Sequence, residues 1–223
     1  MNQITLSLKF FKSNFIYLLS ICMPILVIEA VLTTVTLPMG NMDQIEDIQE
    51  FLSINFVIVL LLIIPAILFQ IGLIGALLLG YKDRDLSVNR SVAEIYSVAF
   101  RKFIPLLASS ILFGIIVFSG FFLLILPAVY LYGRLSLYSC LIVLEDEKIL
   151  NSISRSWNMT DEFGGKLFVI TLFFMGVSYS VPLALSSYAM DSVLMATMLV
   201  LFKYLIIIPW WHVYYTLYKS LSN

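Results

Sequence analysis

The chain has 223 residues, of which 61% are hydrophobic and only 12% charged, with a formal net charge of −1. A soluble domain carries about 25% charged residues, so this composition excludes an ordinary soluble fold and points to lipid as the solvent. With one histidine, two cysteines and no basic stripe, it also argues against nucleic-acid binding and a histidine-rich metal site.

Continuous apolar runs of about 20 residues match transmembrane helices, whereas barrel strands alternate over about 10 residues. The first run spans about 15–37. It is too long for a secretory signal core and contains Pro24 and Glu29, so it reads as a retained span. Residues 38–50 carry Asp43, Glu46, Asp47 and Glu50 without a cation. The second run, about 51–80, exceeds a minimal span and calls for tilt, a kink at Pro65, or projection from the membrane. A third span covers about 103–126. A fourth, about 127–144, follows a very short turn at Leu126-Pro127-Ala128. The fifth and sixth cover about 165–185 and 192–214. The result is an all-α membrane protein forming one polytopic domain over 1–223.

Lys and Arg set the orientation. Eleven of the 13 cations fall at the N-terminus, in 81–102, in 145–166 and at Lys219, and none falls in 38–50, 126–128 or 186–191. Six spans with both ends in the cytosol satisfy every loop. Each cytosolic segment also holds a stretch with apolar residues at helical spacing, about 1–12, 91–102 and 148–158. These predict helices lying in the interface. Ser91 to Glu94 has the spacing of a capping box. Each stretch leads to a basic residue and then an outward and a returning span. This suggests three helical hairpins, about 1–80, 81–144 and 145–223.

The chemistry-bearing residues are few. Glu29, Arg134 and Lys203 interrupt apolar runs. A charge near the bilayer centre costs about 2.5–3.5 kcal/mol on insertion scales, so each needs a partner, water or a function. Brought together, they would form a polar centre with one unpaired positive charge, suited to a lipid phosphate. An ion pair plus a snorkelling lysine is the simpler alternative. Gln70, near Gly72 and Gly75, suits an interhelical hydrogen bond. Cys22 and Cys140 read as small buried hydrophobes. Trp210, Trp211, His212, Tyr214, Tyr215 and Tyr218 read as an aromatic belt at the interface. No HExxH, GxSxG, phosphate-binding glycine loop or His–Cys pair occurs. The expectation is a non-enzymatic protein without cofactor or metal.

One stretch is more specific. Residues 124–168 combine a Leu-Pro turn at Pro127, an in-span Arg134, an acidic exit at Glu145 and a helix bearing Ser152, Arg155, Ser156, Trp157 and Thr160. This pattern resembles the YciC-like family of bacterial inner-membrane proteins, and the membrane domain attached to some glycerophosphodiester phosphodiesterases. Ala128 stands where the pattern has Gly, and Ile149-Leu150-Asn151 where it has Ala. The catalytic domain of those phosphodiesterases is absent, so the resemblance implies no hydrolase. Residues and resemblance together lead to a lipid-associated scaffold, complex subunit or membrane-homeostasis factor. Its expected partners are membrane phospholipid and a further protein or a second copy. A small transporter or channel built on Glu29, Gln70, Arg134 and Lys203 is the alternative.

Overall fold

The computed structural model describes residues 2–189 and 192–222, and among them the only regular structure is helical. In chain order the helices are α1 Asn2–Ser13, α2 Phe15–Thr36, α3 Ile45–Asp85, α4 Val92–Arg101, α5 Phe103–Leu123, α6 Ile125–Leu135, α7 Tyr138–Glu145, α8 Ile149–Met159, α9 Gly164–Ala189 and α10 Val193–Ser222. Short 3₁₀ turns, Leu37–Asn41 and Asp161–Phe163, follow α2 and precede α9. Six segments are long and apolar enough to cross a membrane: α2 with its 3₁₀ turn, α3, α5, α6 with α7, α9 with its 3₁₀ turn, and α10. This is the layout of a multi-pass membrane protein. The segment read as loop 186–191 is helical through Ala189, and residues 190 and 191 lie outside the described residues.

The helices differ from their apolar runs where backbone chemistry overrides composition. α3 has 41 residues, about 61 Å at 1.5 Å per residue, twice a hydrocarbon core of about 30 Å. Pro65 sits inside it without ending it. The turn between the third and fourth spans falls at Leu124, whose backbone is extended, and not at Leu126-Pro127-Ala128. Pro127 is instead in the first turn of α6, where its missing N–H has no helical partner to lose. Gly120 makes this close return possible, because a Cβ there would lie 2.9 Å from the Ala128 backbone.

α2 packs on α3 and α10, α5 on α6, α6 on α9, and α9 on α10, while α1 rests against α10. The α6–α7 segment is 67% buried across its apolar window, against 22–28% for the others. It is the least apolar of the six because it faces protein rather than lipid. Much of the outer part of α3 is uncovered, with Ile54, Phe56, Val57 and Leu61 all more than half exposed, as a helix surrounded by lipid requires.

The half of the bundle holding both chain ends is densely packed. His212 Nδ1 lies 2.9 Å from Ser7 Oγ, and its ring stacks on Phe10 at 4.0 Å. The aromatic residues of α10 read as an interfacial belt are buried here instead, Trp211 at 9% exposure and Tyr214 at 0%. Tyr81 donates to the Ile208 carbonyl beside Pro209 (2.7 Å), and Tyr96 to the Ile21 carbonyl near Pro24 (2.8 Å). These bonds tie α3 to α10 and α4 to α2 within a turn of a helix proline. Cys22 and Cys140 are free thiols inside the core.

Candidate functional site

The three in-span charges do not converge. Lys203 of α10 meets Glu29 of α2, with Nζ 2.7 and 2.9 Å from the two carboxylate oxygens. Beside them, Tyr204 donates to Gln70 Oε1 of α3 at 3.2 Å, the interhelical bond anticipated for that residue. Arg134 belongs to a different cluster.

Arg134 is 2% exposed and hydrogen-bonded through all three of its guanidinium nitrogens. Nε donates to Thr160 Oγ1 (2.9 Å), Nη1 to Tyr130 OH (2.8 Å), and Nη2 to the Trp157 carbonyl (2.7 Å) and Asp161 Oδ1 (2.9 Å). The guanidinium also lies 4.0 Å from the centre of the Trp157 ring, a favourable cation–π stack. Ser156 Oγ donates to the Arg134 carbonyl (3.0 Å). The polar centre with an unpaired cation is therefore corrected. Asp161, which the sequence reading did not single out, supplies the charge, because α8 and the 3₁₀ turn Asp161–Phe163 fold back towards Arg134. A planar fork filled on all sides is how a buried Arg is tolerated.

The same geometry explains the spacing of the Arg155-Ser156-Trp157 helix. Ser156 on α8 and Thr160 at its C-terminal cap are four apart, one turn above the other, and both reach Arg134. Arg155 points elsewhere, to Glu145 (2.5 Å) and Glu147 (3.0 Å). These carboxylates raise its pKa above the ordinary arginine value, Glu145 most strongly. Tyr218 donates to the other Glu145 oxygen at 2.7 Å. Gly133 lets α9 approach α6, since a Cβ would come within 2.9 Å of Thr171 Oγ1 and 3.2 Å of the Leu167 backbone. The guanidinium of Arg134 is enclosed here, while its carboxylate partner Asp161 keeps 78% of its side chain exposed.

The Glu29–Lys203 pair is open. It stands on the wall of a cavity of about 720 Å³ between α2, α9 and α10, in the half of the bundle away from the chain ends. That is a typical size for small-molecule and cofactor sites. Three faces build it. On α2, Glu29, Thr33 and Thr36 follow one another at helical spacing. On α10, Ala196, Val200, Lys203, Ile207 and Trp210 do the same. On α9, Ser178 and Pro182 complete the wall. The Lys203 side chain is 39% exposed and that of Glu29 16%. Ser178 Oγ and Trp210 Nε1 are buried in the packing behind this wall and do not open onto the cavity.

Sequence reasoning found Glu29 and Lys203 but missed Thr33, Thr36, Ser178 and Trp210 as their companions. The signal existed for the threonines, four and seven residues beyond Glu29. For Ser178 there was none, because nothing in one chain tells which helix will stand opposite. Asp83 was also missed. Wholly buried in α3, it accepts from Arg90 Nη2 at 2.5 Å.

Among the described residues no cluster of His, Cys, Asp or Glu has the arrangement to hold a metal ion. Comparison with models of protein families, with curated proteins and with solved structures finds no match.

Proposed function

We propose that the chain is a non-enzymatic inner-membrane protein that holds lipid, acting as a scaffold, complex subunit or membrane-homeostasis factor. The observation that carries this reading is the open Glu29–Lys203 pair on a mostly apolar cavity. A zwitterion at the mouth of an apolar space inside a membrane suits an amphiphile, polar group on the charges and chains along Val200 and Ile207. The transporter reading has less support, since Arg134 is bound by protein partners away from this cavity and Gln70 is taken up by Tyr204.

In this reading both chain ends face the cytosol, where the cations gather. The spans form three hairpins, each entered through a helix lying in the interface, α1, α4 or α8. The buried faces of α4 (Ile95, Tyr96, Ala99) and α8 (Ser152, Ile153, Ser156) support that placement. We also propose membership of the YciC-like family. The support is that Arg134, Ser156, Trp157 and Thr160, spread over 27 positions, meet in one knot.

The test is lipid counting. The detergent-purified chain should retain phospholipid by native mass spectrometry after extensive exchange. Leu199→Trp and Thr33→Trp, which fill the cavity, should reduce that retention while Arg134→Lys does not. Retention equal in all three variants and wild type would reject the cavity as the lipid site.

A further inference from the structure

The end of the bundle that carries both chain ends is built from four segments: α1, residues 81–102, residues 145–166 and the last turns of α10. Polar contacts tie them together. His212 meets Ser7, Lys219 meets Asp85, Tyr218 donates to Glu145, and Lys102 pairs with Asp146.

Charge pairing at this end is lopsided. Arg90 takes Asp83, Lys219 takes Asp85, Lys102 takes Asp146, Arg134 takes Asp161, and Arg155 takes both Glu145 and Glu147. Glu94 closes the capping box with Ser91. Of the acidic residues in these segments, Glu162 alone has no partner among the described residues. Against it stand six cations with neither an ion pair nor a side-chain hydrogen bond: Lys9, Lys12, Lys82, Arg101, Lys148 and Lys166. All but Lys82 are exposed. The paired charges cancel locally, so the field of this face comes from the cations that have no protein counter-charge. The opposite end differs in sign, since residues 38–50 hold four acids and no cation.

The exposed cations also alternate with uncovered apolar side chains. Lys9 adjoins Leu8, Lys12 precedes Ile16, Arg101 stands between Phe100 and Ile104, Lys148 precedes Leu150, and Lys166 precedes Val169, and each of these apolar residues is exposed. Leu150 reaches 72%. Water suits only one half of such a surface. The headgroup boundary of a bilayer suits both, because Lys and Arg carry their charge outward on apolar stems while Leu and Phe enter the acyl layer. A zwitterionic headgroup brings its own ammonium, which opposes its attraction to a basic face. An anionic headgroup brings net negative charge and is drawn in.

We propose that this end is a docking surface for anionic phospholipids, whose headgroups gather on Lys9, Lys12, Arg101, Lys148 and Lys166 around α1, α4, α8 and the start of α9. It is separate from the cavity. It exchanges lipid with the bilayer and does not retain it, because each contact is a single exposed charge.

The full chain is reconstituted in phosphatidylcholine bilayers. Electron paramagnetic resonance then compares the association of spin-labelled phosphatidylglycerol with that of spin-labelled phosphatidylcholine. At low ionic strength wild type should favour phosphatidylglycerol by up to about fivefold, the factor for one Lys or Arg near an anionic surface. In about 1 M salt, where the screening length is about 3 Å, the preference should fall towards parity. Replacing Lys9, Lys12, Arg101, Lys148 and Lys166 together by Gln should abolish it. Lys9→Gln with Lys12→Gln alone should reduce it, and neither set should change Tm, since these side chains hold nothing in the fold. Lys219→Gln with Asp85→Asn removes a charge pair and should leave the preference intact, as should the cavity-filling Leu199→Trp. Equal association of the two lipids at low salt overturns the proposal. So does a preference that survives high salt or the quintuple replacement. Loss of the preference in Leu199→Trp also overturns it, by placing the anionic lipid in the cavity, and leaves the lipid-holding reading standing.

Discussion

Arg134 and Lys203 are both cations set in apolar runs, and the fold treats them oppositely. Arg134 is sealed by hydroxyls, a carbonyl, a carboxylate and an indole face, with 2% of the residue exposed. Lys203 has one carboxylate partner and 39% of its side chain open to a cavity. A buried charge is thus not by itself the mark of a functional site. What separates the two is whether the protein completes the charge's coordination. The closed cluster joins α6, α8 and the start of α9. The open one leaves both charged side chains partly exposed on the cavity wall.

The sharpest way to break this contrast is to remove each cation and compare stability. Arg134→Ala leaves Tyr130, Thr160 and the Trp157 carbonyl without their donor and opens a void, costing about 3–4 kcal/mol. Thermal unfolding in detergent should show a large fall in Tm. Glu29→Gln with Lys203→Met should stay within about 1 kcal/mol of wild type, because both charges leave together. If the two variants lost equal stability, the distinction between closed and open would not hold.

Glycines sharpen it further. Gly133→Ala drives a methyl into Thr171 and the Leu167 backbone, and overpacking of that kind costs about 1–3 kcal/mol. Gly176, on α9 two residues before Ser178, has no atom within 4 Å of a would-be Cβ. Gly176→Ala should be neutral or stabilising by up to about 1 kcal/mol, since Ala is the better helix former.

Much of this architecture was legible in advance, and the misses have physical reasons. Six long apolar segments follow from chain composition because each one is a local length of sequence. Pro127 was misplaced by three residues because a proline fits the first turn of a helix as well as a loop. The α10 aromatics looked like a belt because Trp and Tyr suit both an interface and a packed core, and only tertiary contacts decide between them. Glu29 and Lys203 stood out as expensive residues, but their pairing spans 174 positions. Asp161 was missed because its partner lies 27 residues earlier, a distance over which sequence alone shows no pairing.

The smallest expected effect lies on α4. Ser91 accepts from the Glu94 backbone amide at 3.3 Å, and Glu94 accepts from the Ser91 amide at 2.7 Å, completing the capping box. Ser91→Ala should cost about 1 kcal/mol. The Ser91 backbone hydrogen bond, then its hydroxyl, hold the Glu94 carboxyl below its ordinary value of 4.5. A depressed carboxyl contributes its stability above the unfolded value and loses it as pH falls through the folded one. The cap should therefore persist at neutral pH and weaken only below about pH 4.5, seen as faster amide exchange in the first turn of α4.

The central claim is that the open pair, and not the sealed one, is where lipid is held. A phospholipid bearing a photoreactive diazirine on its acyl chain, cross-linked to the reconstituted chain and mapped by peptide mass spectrometry, tests it directly. Adducts concentrated on 178–182 and 196–207, and lost in Leu199→Trp, are the predicted result. Adducts spread evenly over the exposed apolar helices, or gathered around Arg134 and Trp157, would contradict it.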